Sequence, residues 1–115
     1  NSLHVHAPHE EADLLFVGFN STRGVIEEVM ERLEADGVKV NHVHVRLIHP
    51  FPSSEILPHI EKAKRVVVVE NNATGQLTNL MKMNVGHAHK MTKVLKYDGN
   101  PFLPNEVYFT CKELV

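Results

Sequence analysis

Nine histidines in 115 residues are the first feature of this chain that invites a chemical reading. His4 and His6 stand two apart in an alternating segment, and so do His42 and His44. On a strand, that spacing turns both imidazoles of a pair to one side. If the two strands were neighbours, four imidazoles would approach one another, the donor set that Zn²⁺ or Ni²⁺ takes. His87 and His89 are read on a helix, where a spacing of two puts them on nearly opposite faces. The sequence has neither Cys-x-x-Cys nor His-Glu-x-x-His. The expectation is therefore solvated strand histidines, with any metal at His4, His6, His42 and His44 adventitious.

Two loops carry the remaining polar equipment. Gly18-Phe19-Asn20-Ser21-Thr22-Arg23-Gly24 leads into a helix, whose first N–H groups suit an anion. It matches neither G-x-G-x-x-G nor the Walker A pattern, so it reads first as a well-capped helix start. The other loop, Glu70-Asn71-Asn72-Ala73-Thr74-Gly75-Gln76, holds more polar groups than one cap requires. Asn20, Ser21, Glu70, Asn71, Asn72, Thr74, Gly75 and Gln76 are thus the candidates for an interface or a ligand loop. None is assigned a catalytic role. Ser21, Ser53 and Ser54 sit at helix starts outside any G-x-S-x-G motif, and Cys111 falls on an apolar helical stripe.

The elements that position these loops follow from periodicity. Leu3–Ala7 alternates as a short half-buried strand, and Leu14–Val17 is a continuous apolar run of the kind buried on both faces. A helix is predicted from the Asn20–Thr22 caps to about Ala35, closed by Asp36-Gly37. Val38–Leu47 predicts a strand, and Ser53 or Ser54 caps a helix to about Ala63. Pro58 inside that helix implies a delayed start or a kink. Arg65–Glu70 is the clearest buried strand, with residues 66–69 central in the sheet. A helix from about Thr74 carries Leu77, Leu80, Met81, Val85 and Ala88. Lys93–Tyr97 is a last strand and Asp98–Pro101 a turn. A final helix from Pro104-Asn105 carries Val107, Cys111 and Leu114. Alternating strands and helices make residues 1–115 one α/β domain, a mostly parallel sheet covered on both faces.

Bulk properties exclude several classes of function. A net charge of −2, with scattered Lys and Arg, offers no attraction for nucleic acid or an anionic membrane. Val66–Val69, the longest strongly apolar run, is far too short to span a bilayer. One cysteine makes no internal disulfide and holds no iron–sulfur cluster. No secretion signal is read in the sequence, and a reducing cytoplasm is the expected compartment. The first residues, Asn1-Ser2, suggest a fragment of a longer subunit.

Three stretches in order are more specific than any element alone. They are Val-Arg-Leu-x-x-Pro-Phe-Pro (45–52), Val-Val-Val-Val-Glu-Asn-Asn-Ala-Thr-Gly-Gln-Leu (66–77) and Lys-Tyr-Asp-Gly-Asn-Pro-Phe-Leu-Pro-Asn-Glu-Val (96–107). Over about residues 12–107 the chain resembles the C-terminal part of the α subunit of 2-oxoacid:ferredoxin oxidoreductases, especially the 2-oxoglutarate type. More distantly it resembles the C-terminal domain of transketolase-like thiamine enzymes. The resemblance implies a three-layer α/β/α fold with five strands, the first antiparallel at an edge. It also implies a parent enzyme that oxidatively decarboxylates a 2-oxoacid to its acyl-coenzyme A and reduces ferredoxin. Thiamine diphosphate, Mg²⁺ and an iron–sulfur cluster would belong to other domains and to the β subunit. This chain would serve packing and assembly and be inactive alone, with the remainder of the α subunit, the β subunit and, through the complex, ferredoxin as partners. The competing reading is a free-standing doubly wound module that binds a small ligand or a protein. A long natural reading frame upstream would decide between the two.

Overall fold

The computed structural model describes residues 3–19, 22–46, 52–70, 79, 81–82, 86–95 and 104–115. Its five strands are β1 (Leu3–His6), β2 (Ala12–Phe19), β3 (Val40–Val45), β4 (Ala63–Glu70) and β5 (Met91–Leu95). They form one sheet in the order β1-β3-β2-β4-β5. β1 runs antiparallel to β3, and the other neighbouring pairs are parallel. The helices described from end to end that flank the sheet are α1 (Arg23–Ala35), α2 (Ser53–Glu61) and α3 (Pro104–Lys112).

The central position of β2 explains its composition. Leu14, Leu15, Phe16 and Val17 have no exposed surface, because β3 and β4 flank the strand and helices cover both faces. Alternate residues feed two cores. Leu14 and Phe16 join Val40, Val67 and Val69 beneath α1 and α3, which contribute Ile26, Val29, Met30, Leu33, Val107 and Cys111. Leu15 and Val17 join Val43, Val45, Val66 and Val68 against Ile56 and Ile60 of α2 and against Met81. The expected α/β/α layering is what is observed, with Val66–Val69 wholly buried in an interior strand.

α1 ends as the sequence predicts, in a Schellman turn. The Gly37 N–H donates to Glu34 O and the Val38 N–H to Leu33 O, each at 3.0 Å. Gly37 takes φ +87, a left-handed value that costs glycine nothing. Val38 and Leu33 then meet in the same core. α3 packs across this end, with Tyr108 under Arg32 at 3.9 Å from guanidinium carbon to ring centroid. The Tyr108 hydroxyl donates to Asp36.

Several local expectations are corrected. α2 is not capped by Ser53 or Ser54: its N-cap is Pro52, without a side-chain cap bond, and Ser53 is already helical. Nor does Pro58 delay the start, because its ring lies on the exposed face while Ile56 and Ile60 anchor the helix. β3 is shorter than predicted, ending at Val45, where its antiparallel partner β1 begins at Leu3. β5 starts at Met91, two residues early. Gly86 and His87, both with positive φ, and a 3₁₀ turn at Ala88–Lys90 bring the chain to the sheet sooner. His87 therefore lies outside any helix, and its ring sits 6.0 Å from that of His89 rather than on an opposite face. Residues 79, 81 and 82 are helical, whereas the rest of the helix expected from Thr74, and the Asp98–Pro101 turn, lie outside the described residues.

Lys90 joins three of these pieces. Its Nζ donates to Ile60 O at 3.1 Å and to Ala63 O at 3.0 Å. A cation at the C-terminal end of α2 is favoured by the helix dipole, and here it also ties that end to the start of β5.

Candidate functional site at the switch point

The strand order reverses direction at β2. From β2 the chain crosses to β3 through α1 on one face, while the segment between β4 and β5 places Met81 on the other. Adjacent strands that send their connections to opposite faces leave a crevice beyond their C-terminal ends, where open α/β sheets take ligands and partners. The strands meeting there are β2 and β4, with Gly18 opposite Val69. Glu70 follows and pairs through its backbone with Leu95. Asn20, Ser21, Asn71, Asn72, Thr74, Gly75 and Gln76 lie outside the described residues, as does the Glu70 side chain.

The floor of this crevice is tightly built. Thr22 is the N-cap of α1 by position, but its side chain makes no bond to the helix. Instead Oγ1 accepts the Phe19 N–H at 3.2 Å and donates to Phe19 O at 3.1 Å, pinning the helix start to the strand end. Gly18 lies beneath it. A Cβ there would come 2.5 Å from Ile26 Cδ1, 2.7 Å from Thr22 Oγ1 and 2.9 Å from His44 Nδ1. The glycine that ended the apolar run in the sequence is thus needed for close approach, not for a turn.

The histidines assemble beside this floor. β1 and β3 are neighbours, and their register sets His4 opposite His44 and His6 opposite His42. All four imidazoles therefore share the α1 side of the sheet. They are not all solvated, as the sequence suggested. His42 is 1% exposed and His44 7%, because α1 lies over the face of the second strand; His4 is half-buried and His6 exposed on the edge strand. His42 Nε2 lies 3.4 Å from His44 Nδ1, with the rings edge to face. Burial, reinforced by His44, His4, Arg23 and His6, pushes the His42 imidazole down to about 3. Among the described residues, no three His, Cys, Asp or Glu side chains converge so as to hold a metal ion.

Sequence reasoning missed Arg23. Its Nη2 donates to His4 Nε2 at 2.8 Å, and its Nε donates to Glu27 at 3.3 Å. Nothing in the spacing announces this, because residue 23 meets residue 4 only once β1 is seated beyond β3. Beyond Arg23 an open groove of about 560 Å³ runs between β1 and α1, lined by His4, His6, His9, Glu27, Glu31 and Glu34. Cys111 is closed off from this site: it is fully buried, and burial pushes its thiol up to about 12.

Comparison with known proteins agrees with this architecture. The family model for the pyruvate:ferredoxin oxidoreductase core domain II matches residues 12–107. The α subunit of 2-oxoacid:ferredoxin oxidoreductase 2 from Aeropyrum pernix is 33% identical over 109 residues, covering 91% of this chain. The 2-oxoglutarate oxidoreductase subunit KorA of Mycobacterium tuberculosis is 35% identical over 107 residues, also 91% of the chain. The chain spans only 16% of the length of each. Among solved structures, 2-oxoglutarate:ferredoxin oxidoreductase from Magnetococcus marinus superposes with a TM-score of 0.90 at 29% identity, over 99% of this chain and 20% of that one. A split-gene transketolase, with a TM-score of 0.77 at 17% identity over 96% of this chain and 41% of its own, shares the fold alone. With nearly the whole sheet and its helices inside the match, the chain belongs to the pyruvate:ferredoxin oxidoreductase core domain II family, alongside the α subunits of 2-oxoacid:ferredoxin oxidoreductases.

Proposed function

We propose that this chain is the C-terminal packing and assembly domain of the α subunit of a thiamine-diphosphate-dependent 2-oxoacid:ferredoxin oxidoreductase. The observation that carries the reading is the family match over residues 12–107, set within relatives about six times as long. The parent complex oxidatively decarboxylates a 2-oxoacid to its acyl-coenzyme A and passes electrons to ferredoxin. 2-Oxoglutarate is the favoured substrate, supported by the likeness to KorA and to a 2-oxoglutarate enzyme solved with 2-oxoglutarate, coenzyme A and succinyl-CoA.

The single cysteine and the described side chains of this chain do not fit the parent's cofactors. An iron–sulfur cluster needs several thiolates, and the chain has one cysteine, buried in the core. A Mg²⁺ ion on thiamine diphosphate needs converging oxygen ligands, and the described carboxylates form no such group. These groups are assigned to the rest of the α subunit and to the β subunit, and any metal on the four histidines is adventitious. No described helix is long and apolar enough to cross a membrane, and the compartment proposed is the cytoplasm.

The role left to this domain is to offer the switch-point loops, led by Glu70 and the candidates of residues 71–76, to another part of the complex. The test pairs the full α subunit with its β subunit and measures ferredoxin reduction that depends on coenzyme A and on each of several 2-oxoacids. Turnover is expected with 2-oxoglutarate in the complex and none from the 115-residue chain. Turnover by the chain alone overturns the assignment of an assembly role. A preference for pyruvate or a branched 2-oxoacid overturns only the choice of substrate.

A further inference from the structure

Positive charges that lie apart in the sequence are gathered at the N-terminal end of the sheet, opposite the switch-point loops. Lys64 and Arg65 lie at the start of β4, and Lys90 immediately precedes β5. The parallel register that pairs Val66 with Met91 brings the residues before them, Arg65 and Lys90, to adjacent strand starts. An open cavity of about 660 Å³ lies here, and its described lining includes Asp13, Lys64, Arg65, His89, Lys90 and Leu114. That volume falls in the range of small-molecule sites.

The fold leaves these cations underused. Asp13 supplies the carboxylate side chain of the described lining, and both its oxygens are engaged. Oδ2 accepts the Lys39 N–H at 3.0 Å, and Oδ1 lies 3.5 Å from Lys64 Nζ. Three cationic side chains against that one carboxylate leave a surplus of two positive charges, in a chain whose net charge is −2. Val115 also borders the cavity, and counting its terminal carboxylate still leaves the lining positive. Among the described residues, no carboxylate pairs with Arg65. Lys90 Nζ donates to Ile60 O and Ala63 O, and an ammonium has three protons, so one remains. The nitrogen is held in place by those two bonds, and its side-chain freedom is already lost before any ligand arrives.

We propose that this cavity binds a phosphate monoester, with its phosphate between Arg65 and Lys90. Such a group carries about −1.5 to −2 charges at pH 7 on one centre, with three strong acceptor oxygens. The guanidinium fork takes two of those oxygens, and the remaining Lys90 N–H takes the third. Lys64 and His89, both exposed, add positive charge and a ring nitrogen at the rim. Half-buried Leu114 gives the body of the ester an apolar wall. A carboxylate, with one charge and two oxygens, leaves part of this equipment unused. The site is independent of the loops after β2 and β4 and of the assembly role proposed for them.

Titration of the ¹⁵N-labelled 115-residue chain with phenyl phosphate at constant ionic strength, followed by NMR, tests this. The amide signals of residues 64–65 and 89–90 should shift and saturate below about 10 mM. Arg65→Gln should weaken binding about tenfold or more, and Arg65→Lys, which keeps the charge without the fork, by less. Arg46→Gln removes an exposed arginine at the other end of the sheet and should change nothing. Inorganic phosphate should bind more weakly than the ester, because it has no body to place against Leu114. The proposal is overturned if the shifts do not saturate, if Arg65→Gln binds as the unchanged chain does, or if Arg46→Gln weakens binding equally. Inorganic phosphate binding as tightly as phenyl phosphate overturns the choice of an ester.

Discussion

Gly18 and His44 face each other across the parallel pair of β2 and β3, so close that a Cβ on residue 18 would stand 2.9 Å from the imidazole Nδ1. The ring can occupy this buried position only because residue 18 has no side chain.

Gly18→Ala should therefore destabilise the domain. Besides His44, the new methyl meets Ile26 Cδ1 at 2.5 Å and Thr22 Oγ1 at 2.7 Å. Overpacking of this kind costs about 1–3 kcal/mol. Urea unfolding should show a lower midpoint with an unchanged slope. An unaltered midpoint would mean that α1 shifts freely, against the Thr22 bonds to Phe19.

The His42 imidazole, held down at about 3 against an ordinary 6.5, gives stability a definite dependence on pH. Between these values the unfolded chain binds the proton and the folded chain does not, so stability is full above 6.5 and declines as pH falls towards 3. From pH 7 to pH 5 the loss from this one group is about 2 kcal/mol. His59, also pushed down, chiefly by burial, acts in the same direction. Denaturant unfolding at the two pH values measures the difference, and a chain more stable at pH 5 contradicts this account.

Cys111 should not react in the native state. It is fully buried on α3, and a thiol held near 12 supplies almost no thiolate at pH 8. A chromogenic disulfide reagent should find no thiol in buffer and one per chain in denaturant. Rapid native labelling would show that α3 detaches from the sheet.

Asn72→Ala and Gln76→Ala separate assembly from folding. If the loop after β4 docks another part of the complex, each change leaves the melting temperature of this chain nearly unaltered and weakens assembly or activity of the whole enzyme. A loss of more than about 2 kcal/mol in the lone chain would instead make the loop a structural cap.

The fold was legible where side-chain pattern and tertiary burial agree. Leu14–Val17 and Val66–Val69 read as buried strands because burial on both faces leaves no polar positions, and Asp36-Gly37 announced its turn through glycine alone. The histidine patch was half legible. Spacing put each pair on one face, but whether that face met water depended on α1 lying over β3, a fact of strand order rather than of local sequence. Arg23 was illegible for the same reason, since its partner lies 19 residues earlier on a strand that must first be seated. The start of β5 was misjudged because Gly86 and His87 turn the chain early, and a histidine at φ +58 has no sequence signature.

The strand order also dictates when each edge finds its neighbour as the chain emerges from the ribosome. β1 is made before β3, so its residues 3–6 have no partner until residues 40–45 appear. β2 waits longer, with one side bare until residues 63–70 arrive to cover it. The two most apolar strands of the domain are therefore joined only once residue 70 has been made, and until then the nascent domain carries an open hydrophobic edge that invites chaperones or aggregation.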